Sequence, residues 1–163
     1  MAIEIKEIDT APKVVVQRQP QPGANDILAR ARTIGAPEGF HFAGGITPRE
    51  AWKLFSSGAA ELVDVRTLRE LDQVGHVPGS KHVEWLKGPE MSQNPRFIDE
   101  LAEKAGKNDV VLFLCRSGKR SVAAAEAAAK AGFRHAFNVL EGFEGDGNPK
   151  RGWLRHGLPS TED

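Results

Sequence analysis

Apolar and polar positions follow two regimes along this chain of 163 residues. Short apolar runs bounded by turn residues predict strands at Glu61-Leu-Val-Asp-Val-Arg66, Lys81-His-Val-Glu84, Asp109 to Leu114 and Ala136-Phe-Asn-Val139. Between them the apolar spacing widens to that of helices. Thr47-Pro-Arg-Glu50 predicts a capping box with proline at the first helical position, leading into Ala51, Trp52, Leu54 and Phe55 and ending near Gly58. Further helices are predicted over Pro95 to Ala105, capped by Asn94 and stopped by Gly106, and over the alanine-rich Lys119 to Ala131, stopped by Gly132. Upstream, Asn25-Asp26 caps a short helix with Ile27, Leu28 and Ala31 on one face, ending near Gly35 and Pro37. The polar, proline-rich Gln17 to Gly23 sets off an N-terminal arm. Strands alternating with helices predict an α/β fold with a mostly parallel sheet, helices on both faces, and a ligand site beyond the carboxyl ends of the strands.

Composition narrows the class. With 40% hydrophobic residues and a formal net charge of zero, the chain supports one compact domain with a core and gives no reason to expect nucleic acid or a membrane surface as partner. Its single cysteine excludes an internal disulfide and a multi-cysteine zinc site, which favours a reducing compartment. Met1 to Pro20 carries Glu4, Glu7 and Asp9 and only the short apolar run Val14 to Val16, too brief for a signal-peptide core. A cytoplasmic protein without metal or cofactor is expected.

That cysteine, Cys115, stands where the apolar run Val110 to Leu114 stops and the loop Cys115-Arg-Ser-Gly-Lys-Arg-Ser121 begins. On a strand-to-helix turn, loop N–H groups and the positive end of the helix dipole favour a thiolate, and Arg116, Lys119 and Arg120 add cationic charge. Gly118 supplies a conformation closed to other residues, so the amides can wrap around one anion. A thiolate held this way can attack the outer sulfur of a sulfane donor without a general base, and the five histidines are scattered.

Three stretches together resemble the rhodanese, or thiosulfate sulfurtransferase, family. Leu62-Val-Asp-Val-Arg66 with Glu70 and Gly75-His-Val-Pro-Gly-Ser80 is similar to its first signature, and Cys115 to Ser121 is similar to its six-residue active loop. Asn138-Val-Leu-Glu-Gly-Phe143, followed by Gly152-Trp153 and Gly157-Leu-Pro159, is similar to its C-terminal signature. The resemblance implies a rhodanese domain over residues 47–159 with a mostly parallel five-stranded sheet, an N-terminal extension over 1–46 with a short helix, and a tail over 160–163. It also implies that Cys115 forms a persulfide and that the amides of Arg116, Ser117, Gly118, Lys119, Arg120 and Ser121 form the cradle. The implied partners are a small sulfur donor such as thiosulfate and a cyanide or thiol acceptor, or a sulfur-carrier protein.

Accessory residues carry two readings each. Arg66 either anchors the loop or the donor anion, or pairs structurally with Asp64 or Glu70. Asp64, an acid inside an apolar strand, is expected to bond loop amides or an arginine, and it is grouped with Glu70 as structural support. Arg120 either points at the bound anion or braces the loop from outside. Arg116 and Lys119 are expected at the mouth, Trp85 and Phe143 in the pocket wall or the core. Cys-dependent phosphatases and arsenate reductases of similar build need five residues between cysteine and arginine. Here four intervene, with serine at position 121, which favours sulfur over phosphate. A rhodanese-fold module that only binds partners is the other alternative, though such modules commonly lack the cysteine. The insertion Gly88 to Pro95 is expected to be a surface loop.

Overall fold

In the computed structural model, which describes residues 23–162, each of the four predicted strands lies in one parallel sheet. These are β2 (Glu61–Asp64), β3 (Lys81–His82), β6 (Val110–Leu114) and β7 (His135–Val139). A fifth, β1 (Gly44–Ile46), completes the order β1-β7-β6-β2-β3 with every neighbouring pair parallel. Two of its three residues, Gly-Gly-Ile, are glycines, which are depleted in strands, so its local signal is weak. It forms because β7 offers a free edge and α1 (Ala24–Ile34) lies so close to it that a Cβ on Gly44 would come within 2.0 Å of the Ala31 carbonyl oxygen. The edge strand thus comes from residues before 47. The predicted arm over residues 1–22 lies outside the described residues.

Two apolar layers sandwich the sheet. On one face Ile46, Leu62, Leu112, Leu114, Phe137 and Val139 pack against α1 and α2 (Pro48–Ser56). On the other, Val63, Val65, Val111, Phe113, Cys115 and Ala136 pack against α4 (Phe97–Ala102) and α5 (Arg120–Lys130). Successive residues of a strand point to opposite faces, so Leu114 faces one layer and Cys115 the other. Ala124, Ala125 and Ala128, all 0% exposed, let α5 lie flat against β6 and β7.

The helix termini refine the sequence reading. Thr47 caps α2 through the Glu50 N–H, but the reciprocal half of the box is missing because the Glu50 carboxylate bonds Arg30 instead. A complete box occurs at Thr67 and Glu70, opening α3 (Leu68–Val74), a helix that the apolar spacing did not predict. α4 begins at Phe97, later than the predicted Pro95, and Arg96 occupies the cap position. Asn94 acts before it, accepting the Arg96 N–H and donating to the Glu84 carbonyl. The insertion folds into a small hairpin of β4 (Leu86–Lys87) and β5 (Ser92–Gln93). No helix among the described residues is long and apolar enough to cross a membrane.

Candidate active site

Cys115 follows the last residue of β6, and the chain reverses into α5 within five residues, so the loop amides and the first turn of α5 share one focus. Cys115 Sγ receives the Gly118 N–H at 3.1 Å and the Ser121 N–H at 3.3 Å, and lies 3.2 Å from Ser121 Oγ. Gly118 has φ +101°, a conformation that turns its N–H inward at the cost of strain for any other residue. Cys115 is 1% exposed. The two N–H groups that reach Sγ belong to the backbone of the loop, so their positions are set before any reaction.

The loop is held from three sides. Arg120 donates from Nη1 and Nη2 to the two carboxylate oxygens of Glu70 at 2.7 and 2.8 Å, fastening the start of α5 to α3. Phe143 and Glu144 donate their N–H groups to the carbonyls of Cys115 and Arg116, tying the loop to the segment after β7. Ser121 Oγ donates to Asn138 Oδ1 at 2.5 Å, which joins the cysteine to β7. Asn138 lies within the C-terminal signature, and its bond to Ser121 is visible only in the folded chain. A polar residue inside the apolar strand His135-Ala-Phe-Asn-Val139 was the available signal. Glu141, in the same signature, adopts φ +73° although not glycine. Its carboxylate accepts the Gly152 N–H and bonds His156 Nε2, holding the C-terminal segment under the loop.

Arg66 is elsewhere. Its guanidinium donates from Nε and Nη2 to Asp64 and from Nη2 to the Gly75 carbonyl, and its Cζ lies 4.1 Å from the Phe143 ring centroid. Both side chains of the pair are 0% exposed, and Phe143 belongs to the layer opposite Cys115. Asp64 and Arg66 therefore brace the ends of β2 and α3 and do not line the sulfur site. Trp85 stacks on Phe97 in a T-shape at 5.0 Å, on the same face as Cys115. His82 Nε2 bonds the Arg66 carbonyl at 2.7 Å.

Arg116 and Lys119 are exposed at the rim. With Ser117 they line a cleft of about 440 Å³ whose far wall contains Glu144, Asp146 and Arg155. Arg116 Nε lies 3.5 Å from the Glu144 carboxylate, so the rim is mixed in charge and not purely cationic. A second cleft of about 450 Å³ lies between Thr67, Arg69 and Glu84 and the hairpin turn at Gly88, Pro89 and Met91, so the insertion shapes a surface beside α3.

Burial works against ionisation of Glu70, yet the Arg120 hydrogen bonds, the Thr67 N–H and the Arg120 charge outweigh it and hold the carboxyl at about 2, below the ordinary 4.5. A depressed carboxylate stabilises the fold above its unfolded value, and that contribution disappears as pH falls from about 4.5 toward about 2. Because the pair is partly solvated, about 1–2 kcal/mol of stability at neutral pH is expected to depend on it. The Glu70→Gln protein should melt lower than wild type at pH 7, and the gap should close on acidification through that window. A gap independent of pH would show that Glu70 contributes packing alone.

The Rhodanese-like domain family matches residues 47–147. Thiosulfate sulfurtransferase 16, chloroplastic, from Arabidopsis thaliana is 31% identical over 100 residues, covering 60% of this chain and 77% of that protein. The uncharacterized Rickettsia conorii protein RC0915 is 36% identical over 111 residues, 65% of this chain and 86% of its own length. The crystal structure of Rv0390 from M. tuberculosis superposes with a TM-score of 0.67 at 39% identity, covering 76% of this chain and all of that one. The active loop, the parallel sheet that presents it and the extent of these matches agree: the chain belongs to the rhodanese-like domain family.

Proposed function

We propose that the protein is a sulfurtransferase that moves a sulfane sulfur from thiosulfate, or a donor like it, to a thiophilic acceptor through a persulfide on Cys115. The observation that carries this reading is the convergence of the Gly118 and Ser121 N–H groups on a single buried Sγ. The Cys115 thiolate attacks the outer sulfur of thiosulfate, and a Cys115–sulfur bond forms as the donor's sulfur–sulfur bond breaks. Sulfite leaves with the electron pair of the broken bond. The persulfide keeps one negative charge, as the thiolate did, so the amide donors suit both states. Cyanide or a thiolate then attacks the terminal sulfur and leaves as thiocyanate or as a new persulfide, restoring the Cys115 thiolate.

Arg120 favours sulfur over phosphate. A phosphatase loop needs its arginine turned to the bound anion, whereas here both Arg120 terminal nitrogens are bonded to Glu70. The chain contains no second cysteine, so the sulfur must leave to an external acceptor, which a small thiol or a sulfur-carrier protein in the reducing cytoplasm would supply. Incubation with thiosulfate followed by removal of the donor is expected to add one sulfur atom to the intact protein, located at Cys115 by mass spectrometry. Addition of cyanide should discharge it. A protein that gains no sulfur under these conditions would refute the proposal.

A further inference from the structure

We propose that Asn138 is a positioning residue for Cys115, acting through the hydroxyl of Ser121. The inference rests on the sulfur-transfer reading only for the identity of the reaction. Ser121 Oγ is buried between Cys115 Sγ at 3.2 Å and Asn138 Oδ1 at 2.5 Å, and a hydroxyl has one proton to share between two neighbours. With that proton given to Asn138 Oδ1, Ser121 can only accept on its other side, and the S–H of a neutral Cys115 is the donor it meets. That arrangement belongs to the thiol. A thiolate has no proton and can only accept, so the Ser121 hydroxyl must swing toward Sγ. Its oxygen then needs a donor from behind, which Asn138 supplies when its amide turns to present Nδ2. Asparagine suits the position because one end of its amide accepts and the other donates, within the same volume.

The surroundings allow that turn. Asn138 is 6% exposed and makes no other side-chain hydrogen bond among the described residues. Its partner across the sheet is Gly45, over which the side chains of Leu140 and Ile34 pack. Both line a cleft of about 290 Å³ with Phe42, Val122 and Leu140. The burial of a polar chain from Sγ to Asn138 makes its hydrogen-bond sense consequential, because an unmatched donor or acceptor in that setting is costly.

The test is a double-mutant cycle read by alkylation of Cys115 with iodoacetamide at neutral pH, together with the ultraviolet absorption of its thiolate, in the full chain. Asn138→Ala and Ser121→Ala are each expected to slow alkylation by about tenfold, the effect of one lost hydrogen bond to a charged group. The double variant should be no slower than Ser121→Ala alone, because Asn138 acts through that hydroxyl. Asn138→Asp, an acceptor only, should be slow and show reduced thiolate absorption, and Asn138→His, whose Nδ1 stands equally far along the side chain and can donate or accept by tautomer, should recover much of the rate. These two variants also carry the test if Asn138→Ala does not fold. Alkylation of Asn138→Ala within about twofold of wild type, or effects that multiply in the double variant, would overturn the inference. A role confined to packing would lower the melting temperature and leave the thiolate absorption of the folded protein unchanged. Alkylation requires neither sulfur donor nor acceptor, so coupling in a protein that never takes sulfur from thiosulfate would reject the proposed function and keep this inference. A persulfide-forming protein without coupling would do the reverse.

Discussion

The Cys115→Ser protein is expected to fold as wild type and to lose thiosulfate-to-cyanide transfer by about 10³-fold or more, the scale on which removal of a covalent nucleophile acts. Serine is close in size to cysteine and its hydroxyl can accept the Gly118 and Ser121 N–H groups that Sγ accepts, so the cradle remains occupied. What disappears is the chemistry. A serine hydroxyl stays protonated at neutral pH, and its oxygen is a poor nucleophile toward divalent sulfur. Steady-state assay beside a thermal melt separates the two outcomes. A Cys115→Ser protein that keeps transfer activity would end the persulfide reading, whereas loss of activity with a lowered melting temperature would point to damage of the fold.

Breaking the Asp64–Arg66 pair is expected to have the largest effect on stability. Neither side chain reaches water, and the guanidinium already has one buried nitrogen, Nη1, without a hydrogen-bond partner among the described residues. Asp64→Ala leaves a buried cation against the Phe143 ring with only the Gly75 carbonyl to accept from it, at a cost of about 3–5 kcal/mol. For a domain of this size that corresponds to a fall of roughly 10 °C in melting temperature. Arg66→Met should also destabilise, because it leaves the buried Asp64 carboxylate without its guanidinium, and the double replacement by apolar residues should recover part of the loss. Because the pair lies on the opposite face from Cys115, folded Arg66→Met measured well below its melting point should keep the KM of wild type for thiosulfate. A raised KM would instead make Arg66 a donor-anion ligand, the other reading that its place in the sequence allowed.

Most of the architecture was legible because its signals are local. Five apolar residues ending at Leu114 and an alanine-rich segment after Gly118 predict a strand and a helix without any knowledge of the rest of the chain. Among the elements that escaped, β1 and α3 had weak local signals. β1 is two glycines and an isoleucine, recruited by the edge of β7 and by α1. α3 spans seven residues with Leu71 buried, too short for a helical period to emerge, and its start is set by the capping box of Thr67 and Glu70. At Thr47 the same spacing overstated the local contact, because a tertiary partner, Arg30, took the Glu50 carboxylate.

By itself the sequence points to Cys115 as the proposed nucleophile and to the turn that surrounds it. Cys115, Gly118 and Ser121 are so close along the chain that the dihedrals of one strand-to-helix turn bring their groups together. Only the tertiary structure decided what braces that loop. Arg120 meets Glu70 across 50 residues and Ser121 meets Asn138 across 17, distances over which side-chain pairing depends on which strands adjoin and in what register. Register also assigned the face: one residue along a strand reverses a side chain, which is why Cys115 and the Asp64–Arg66 pair, adjacent through β6 and β2, act on opposite sides of the same sheet.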